Sequence, residues 1–271
     1  MRDLVEAFER LASLEQSHRR SGILQNFNPL LKIITFGLFI SSALFVNSLA
    51  PILFMAISIV SLAILTRINI KDFAYRSSFI PAFALIISIP ILFTTPGTEV
   101  LRINGFQFTM SVSEQGIMKV LIFAGRVWVC VATIVLVTST TDLVIMIRAL
   151  KRMKAPKFFT AIAFMTYRYL FLTLHEVYSL LLAKESRTFT RKRTLNLKSM
   201  KYLGNSFASL FIRAYERSER VYLAMVARGY TGLGDDLGNA NFRHGPNDMA
   251  LGVLIVTLGI FAILLNIMHV G

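Results

Sequence analysis

The chain has 271 residues, of which 55% are hydrophobic and only 16% are charged. Since soluble proteins are nearer a quarter charged, this composition excludes a disordered chain and argues against an ordinary soluble enzyme. The single cysteine, Cys130, excludes a disulfide scaffold. The net charge of +14 fits either a nucleic-acid-binding protein or a membrane protein with basic cytoplasmic loops. The distribution of apolar residues along the chain decides between these two classes.

Residues 1–27 predict a cytoplasmic amphipathic helix. Leu4, Ala7, Phe8, Leu11 and Leu14 recur at helical spacing. Acidic residues are scattered through the segment and it lacks the apolar stretch of a signal peptide, so we do not expect it to be cleaved. Its apolar face either contacts lipid or packs on the body of the protein.

Residues 28–140 predict four transmembrane helices, and residues 249–271 predict a final one. Each stretch approaches the roughly 20 apolar residues that a transmembrane helix needs. The predicted spans are Leu31–Val46, Pro51–Thr66, Ser78–Thr95, Ile117–Thr138 and Met249–Val270. The first two are short and adjacent, and they predict a tight helical hairpin. The pattern indicates an all-α, polytopic membrane protein with about five transmembrane helices.

The charges of the loops predict the orientation. Residues 142–248 contain 18 Lys and Arg against 8 acidic residues, whereas the loop between the third and fourth spans has Arg102 as its one basic residue. Because basic loops stay in the cytoplasm, we expect the N-terminus and residues 141–248 to be cytoplasmic and the C-terminus to be outside. This explanation of the positive charge leaves a nucleic-acid partner without support.

Three helices are predicted within the cytoplasmic segment. The first begins after Thr140-Thr141-Asp142 and runs to about Met153, the second begins at Pro156 and runs to about Thr190, and the third covers about Leu197–Arg228 and ends at Gly229. Residues 158–183 are apolar enough to suggest a sixth span. They include Arg168, His175 and Glu176, however, which are costly in a bilayer, so we expect this helix to be cytoplasmic or to skirt the membrane.

The two long cytoplasmic helices end alike, with an offset of 41 residues. The first ends with Leu182-Ala-Lys-Glu-Ser-Arg-Thr-Phe189 and the second with Leu223-Ala-Met-Val-Ala-Arg-Gly-Tyr230. Each copy places one arginine among small residues, which let a partner approach closely, and a guanidinium can bind carboxylates or exposed carbonyls. A cation at a helix C-terminus can also simply offset the helix dipole. Two copies at equivalent helix ends favour a docking function.

The ordered set of motifs resembles the transmembrane (T) component of energy-coupling-factor ABC transporters, the EcfT/CbiQ family. Ala227-Arg228-Gly229 matches the Ala-Arg-Gly signature of that family, whereas Ser186-Arg187-Thr188 keeps only the arginine. Asn28-Pro29 with Lys32 is similar to the family's Asp-Pro-x-x-Lys motif at the start of the first span. Arg126, Thr140-Thr141-Asp142, Ala155-Pro156 and Tyr167-Arg168-Tyr169-Leu170 follow in the order that the family shows.

This resemblance implies a non-enzymatic scaffold whose cytoplasmic segment is a coupling-helix domain. Two cytosolic ABC ATPase subunits would bind the two arginine-bearing helices, and a separate substrate-binding membrane subunit would capture the solute, with cobalt the expected substrate. The implied ATPase-docking residues are Ala183, Ser186, Arg187, Thr188, Ala224, Ala227, Arg228 and Gly229, and the implied structural or coupling residues are Arg126, Arg168 and Pro156. No cofactor is implied.

Other functions remain as alternatives. Nickel or a vitamin would leave the same sequence features as cobalt. A stand-alone secondary transporter would need a charged or broken-helix site at mid-membrane, and Arg126 is the one residue that could supply it. An intramembrane enzyme is disfavoured because the five spans contain no Asp or Glu. Four scattered histidines predict no metal site in this chain, and the phosphate-binding loop of ATPases is missing from the sequence.

Overall fold

The computed structural model describes residue 24 and residues 27–66, 68–95, 99–104, 109–187, 197–230 and 245–270. The helices within these residues are α1 (Pro29–Phe45), α2 (Leu49–Leu65), α3 (Ile70–Thr94), α4 (Glu114–Thr140), α5 (Leu143–Arg152), α6 (Lys157–Arg187), α7 (Leu197–Ala227) and α8 (Pro246–Val270). Two strands, β1 (Glu99–Asn104) and β2 (Thr109–Ser113), lie between α3 and α4. The predicted amphipathic helix of residues 1–27 falls almost wholly outside the described residues.

All five predicted spans are helical. Among the described residues, α3, α4 and residues 248–268 of α8 are long and apolar enough to cross a membrane, while α1 and α2 are apolar helices of 17 residues each. At 1.5 Å per residue, 17 residues cover about 25 Å, which is slightly less than the hydrocarbon thickness of about 30 Å. The prediction of an all-α polytopic membrane protein is confirmed.

The second and third spans begin earlier than the sequence analysis predicted. Helix α2 starts at Leu49, so Pro51 lies in its first turn. Proline is tolerated there because the N–H groups of the first turn have no partner within the helix. Helix α3 starts at Ile70 rather than at Ser78 and therefore includes the charged residues Lys71, Asp72 and Arg76 in its first two turns. Charged side chains are compatible with the end of a span, where they can reach the interface.

A β hairpin between α3 and α4 was not predicted. Strands β1 and β2 pair antiparallel, with an irregularity between Glu99 and Leu101. The hairpin is tied to the helices by Ser113, whose Oγ donates to the Thr95 carbonyl at 2.8 Å and accepts from the Gly116 N–H at 3.0 Å. A two-stranded hairpin is marginal by itself, so this anchoring at the start of α4 explains why it forms here.

The described residues divide into two compact units, which are described separately. The first contains the residues up to Met146 and those from Gly245 onward, and the second begins at Ile147 and includes α6 and α7. In the first unit α4 contacts α1, α2 and α3, and α8 contacts α1 and α2. Its core is apolar and includes Phe36, Phe39, Met55, Ile59, Val129, Leu136 and Ile255.

Helices α1 and α8 run parallel and pack through small residues. A Cβ added to Gly252 would lie 3.3 Å from Thr35 Cγ2, and one added to Gly259 would lie 3.0 Å from Ser42 Oγ. Both contacts advance by seven residues on each helix, which requires the same direction for the two helices. Small residues allow close helix packing in a membrane, where apolar burial alone gives little drive for association.

Candidate functional site

Helices α6 and α7 contain 31 residues each and form the centre of the second unit. The first half of α6 and the second half of α7 border one cavity of about 600 Å³. Its lining is mostly apolar and includes Phe158, Ile162 and Met165 of α6 with Val221, Tyr222 and Met225 of α7. Because opposite halves of the two helices face each other, α6 and α7 are antiparallel.

An ion pair joins the two helices at one end of this cavity, which Arg217 helps to line. Arg217 Nη2 of α7 donates to Glu176 Oε1 of α6, and the two side chains are 25% and 20% exposed. The second carboxylate oxygen of Glu176 and Arg217 Nη1 are buried without a partner among the described residues. The contact between α6 and α7 therefore contains two buried polar atoms without a hydrogen-bond partner in the described part of the chain, beside a cavity that is mostly apolar.

The ion pair obeys the same offset as the two helix ends. Glu176 and Arg217 are separated by 41 residues, as are Arg187 and Arg228. Each of these two arginines therefore follows the ion-pair residue of its own helix by eleven residues, or about 16 Å of helix. Since the helices are antiparallel, the two arginines lie at opposite ends of the pair and at equal distances along the helices from the same contact.

The second arginine motif is an exposed helix end with a fixed backbone. Gly229 has φ +83°, its N–H donates to the Val226 carbonyl at 2.9 Å, and the Tyr230 N–H donates to the Met225 carbonyl at 3.0 Å. These are the two bonds of a Schellman cap with glycine in the left-handed position. Ala224, Ala227, Arg228 and Gly229 are all exposed. Arg228 is thus presented beside small residues on a rigid helix terminus.

The first arginine motif also lies at a helix end. Arg187 is the last residue of α6, and Ala183 and Ser186 before it are exposed. The Ser186 hydroxyl donates to the Leu182 carbonyl at 3.0 Å, so it is satisfied within its own helix. Thr188, the last residue of the predicted motif, lies outside the described residues.

Lys32 ties the start of α1 to the end of α4. Asn28 caps α1, with its Oδ1 accepting from the Leu30 N–H at 3.1 Å and Pro29 in the first turn, so that Lys32 falls one turn inside the helix. The Lys32 ammonium is buried and donates to Thr141 Oγ1 at 2.7 Å and to the Thr140 carbonyl at 3.4 Å. It therefore caps the C-terminal carbonyls of α4, a favourable place for a cation.

Arg126 of α4 makes the reciprocal contact with the end of α1. Its Nη2 donates to the Val46 carbonyl at 2.6 Å and to Asn47 Oδ1 at 2.9 Å. Fourteen residues separate Lys32 from Val46 on α1, and the same number separates Arg126 from Thr140 on α4. The two helices are therefore antiparallel, and each supplies the cation that caps the other. These contacts are the kind that a bracing residue requires.

The remaining residues that the sequence singled out are Pro156, just before α6, and Arg168, within α6. Pro156 immediately precedes the helix and its carbonyl accepts the Thr160 N–H at 3.3 Å, while Arg168 is exposed on α6. Sequence reasoning missed Lys154, which has φ +64° and stands where a helix cap ordinarily has glycine. It also missed Glu176 and Arg217, although applying the 41-residue offset beyond the helix ends would have paired them.

Metal ligands are scattered in the part of the chain that the structure describes. Within those ranges, no three His, Cys, Asp or Glu side chains come close enough to hold a metal ion.

The sequence profile of the cobalt transport protein family, CbiQ, matches residues 20–237. The chain belongs to this family. The match runs through α1 to α7 and includes both arginine motifs, so the resemblance to the EcfT/CbiQ family is confirmed. Members of the CbiQ family are membrane components of transport systems, and the chain is a multi-pass membrane protein of that kind.

Relatives of this CbiQ-family chain cover most of its length. It is 34% identical to the uncharacterized protein MJ1571 of Methanocaldococcus jannaschii, over 80% of this chain and 75% of that protein. It is 25% identical to the cobalt transport protein CbiQ of Rhodobacter capsulatus, over 72% of this chain and 78% of that one. It is also 22% identical to a putative fused cobalt transport protein, CbiMQ, of Methanocorpusculum labreanum, over 72% of this chain and 33% of the fused protein.

Proposed function

We propose that this chain is the transmembrane coupling (T) subunit of an energy-coupling-factor importer for cobalt. It would pass ATP-driven motion of two cytosolic ATPase subunits to a separate substrate-binding membrane subunit. The observation that carries the proposal is the symmetry of α6 and α7. Two antiparallel helices meet at an ion pair between repeat-equivalent residues, and each ends in an arginine motif at the same distance along the helix from that pair.

The geometry suits two copies of one kind of partner. An ATPase pair has two equivalent surfaces, and equivalent surfaces need equivalent ligands at a fixed separation. Arg228, held by a Schellman cap among small exposed residues, can enter a groove without moving its backbone. A guanidinium that is desolvated in such a groove and bound to a carboxylate or to carbonyls anchors the complex, and removing one costs about 2–5 kcal/mol.

Two further considerations support the substrate and the orientation. A relative carries a region similar to this chain within a longer protein that is described as a fused cobalt transport protein, which indicates a neighbouring transport component. The basic balance of residues 142–248 supports a cytoplasmic position for the coupling segment and the N-terminus, with the C-terminus outside. Cobalt as the substrate is inferred from the family, and nickel or a vitamin is the alternative.

The test is a pull-down from a detergent extract of the native host, comparing wild type with Arg187→Ala/Arg228→Ala. The matched control is Arg213→Ala/Arg220→Ala, which removes two exposed arginines from the body of α7. We expect wild type and control to retain an ATPase pair and the motif variant to lose it, with at least a thirtyfold weaker affinity. Uptake of radiolabelled Co²⁺ and Ni²⁺ by cells that express the complex then distinguishes the substrates.

The opposite result has a clear meaning. If wild type retains no ATPase under conditions that keep membrane complexes intact, the coupling function is wrong. A stand-alone transporter would then be the next hypothesis, with Arg126 as the first residue to replace.

A further inference from the structure

We propose that the turn between α5 and α6 binds the head groups of anionic phospholipids. The surface, which we name the basic corner, consists of Arg148, Lys151, Arg152, Lys154 and Lys157. It goes beyond the proposed function and depends only on its orientation, because it concerns a lipid contact rather than an ATPase contact.

The charge at the basic corner is one-sided. Five basic residues fall within ten positions, and no acidic residue occurs between residues 143 and 175. Arg152, Lys154 and Lys157 are exposed, and Arg148 and Lys151 are half-buried. Five basic side chains so close together along the chain attract an anionic partner.

Helix stability explains only part of this charge. Lys151 and Arg152 lie in the last turn of α5, where cations offset the helix dipole. Lys157 lies in the first turn of α6, which contains no acidic residue, so its charge opposes the dipole there. Lys154 occupies a left-handed position, φ +64°, that glycine would take without strain. The left-handed position of Lys154 therefore costs backbone stability, which is typical of a residue kept for an interaction.

Apolar side chains are exposed among the same basic residues. Met153 is 42% exposed, Phe158 is 75% exposed and Phe159 is 56% exposed. Inorganic phosphate has no apolar group for such side chains to contact, whereas the membrane interface accommodates aromatic rings and lysines together. The corner also follows a transmembrane helix closely, since two residues separate α4 from α5. An anionic phospholipid is thus the partner that satisfies both the charge and the apolar surface.

The test measures which lipids the purified full-length chain retains. Wild type is equilibrated in detergent with equal amounts of phosphatidylglycerol and phosphatidylcholine, and bound lipids are counted by native mass spectrometry. We expect a preference for phosphatidylglycerol that is lost on Lys154→Gln/Lys157→Gln, with about a fivefold change per lysine. The matched control, Arg213→Gln/Arg220→Gln, removes two exposed charges from α7 and should keep the preference.

Two further arms separate the sources of binding. Phe158→Ser/Phe159→Ser should lower the retention of both lipids without changing their ratio, and inorganic phosphate at the same ionic strength as chloride should compete no better than chloride. An unchanged lipid ratio in the double lysine variant, or an equal fall in the control, would overturn the proposal.

Retention of the ATPases is measured for the same variants by the pull-down from a detergent extract of the native host. The double lysine variant should still retain them, and the Arg187→Ala/Arg228→Ala variant should still prefer phosphatidylglycerol. If the lysine variant instead loses the ATPases and keeps its lipid preference, the corner binds protein and the lipid proposal is wrong. Loss of the ATPases on replacing the arginines alone concerns the proposed function and leaves the lipid contact intact, so the two failures are distinguishable.

Discussion

The side chains of Arg126 and Lys32 each donate a hydrogen bond to a backbone carbonyl at the C-terminal end of a neighbouring helix. Such carbonyls have no partner within their own helix, and leaving one unpaired in an apolar environment costs about 1–3 kcal/mol. Arg126 also binds Asn47, whose N–H donates to Asn266 Oδ1 of α8 at 2.9 Å. The turn after α1 is therefore bound by side chains from two other helices, the charged Arg126 of α4 and the neutral Asn266 of α8.

We expect Arg126→Leu to lower the stability of the protein by about 1–3 kcal/mol, because the Val46 carbonyl loses its donor. Arg126→Lys should recover only part of this, since an ammonium lacks the planar fork that reaches both Val46 and Asn47. The measurement is the thermal midpoint in detergent. A double-mutant cycle with Asn47→Ala should show coupling, and strict additivity would mean that the two side chains do not act together.

Lys154 and Gly229 hold the same backbone position at two helix ends but are different residues. We expect Lys154→Gly to raise the stability by about 1 kcal/mol, because glycine adopts φ +64° without the cost that a Cβ brings. Gly229→Ala, at φ +83°, should lower it by about 1–2 kcal/mol for the same reason. Thermal unfolding of both variants tests the pair. A destabilised Lys154→Gly variant would show that the lysine side chain contributes more than its backbone costs.

Helices α1 and α8 illustrate how one methyl group can decide a packing contact between elements. We expect Gly259→Ala to destabilise the protein by about 1 kcal/mol, since the new Cβ would lie 3.0 Å from Ser42 Oγ. Ser42→Ala should relieve this clash and make the double variant more stable than the sum of the singles. Gly37→Ala is the matched control, because nothing lies within 4 Å of its Cβ position and alanine favours a helix. The measurement is the thermal midpoint of the four variants. A double variant no more stable than the sum of the singles would contradict the prediction.

The α6–α7 ion pair joins the two helices that carry the arginine motifs. We expect Glu176→Arg or Arg217→Glu to lower the transport rate per ATP hydrolysed by about tenfold, because two like charges would meet at the helix contact. The exchanged double variant, Glu176→Arg/Arg217→Glu, should recover most of the transport. Because both motifs stay intact, ATPase retention should be unchanged in all three. A double variant as impaired as the singles would show that the pair does not act through its charge complementarity.

At the scale of the whole molecule, the helix directions determine which ends share a side of the membrane. Antiparallel α1 and α4, with parallel α1 and α8, put the start of α1, the end of α4 and the start of α8 on one side. The positive charge of residues 142–248 predicts that this side is the cytoplasm.

Cysteine labelling of intact cells tests that orientation. In a Cys130→Ser background, we expect Gln115→Cys, at the start of α4, to react with a membrane-impermeant maleimide and Ala155→Cys, after α5, to react only after permeabilisation. The opposite pattern would reverse the proposed orientation. Labelling of both in permeabilised cells is the control that each thiol is accessible.

The sequence by itself determined the elements and the family. Long apolar stretches can only be satisfied as helices in lipid, so the five spans followed from composition, and Gly229 after a helical pattern predicted the end of α7. The 41-residue repeat predicted two equivalent helix ends because it is a local pattern. Helices α2 and α3 start earlier than predicted, because a proline or a charged residue near the end of a span does not end a helix. The β hairpin was not predicted because its two short strands show too little alternation of apolar and polar residues.

The tertiary structure decided which residues meet. Lys32 and Thr140 are 108 residues apart, and Arg126 is 80 residues from Val46, so no local pattern indicates that each helix caps the other. Contacts of this kind depend on the direction and register of the packed helices, which a local sequence pattern does not specify. The antiparallel packing of α6 and α7 likewise follows only from the tertiary structure. It places the arginines of the two repeated motifs at opposite ends of the helix pair.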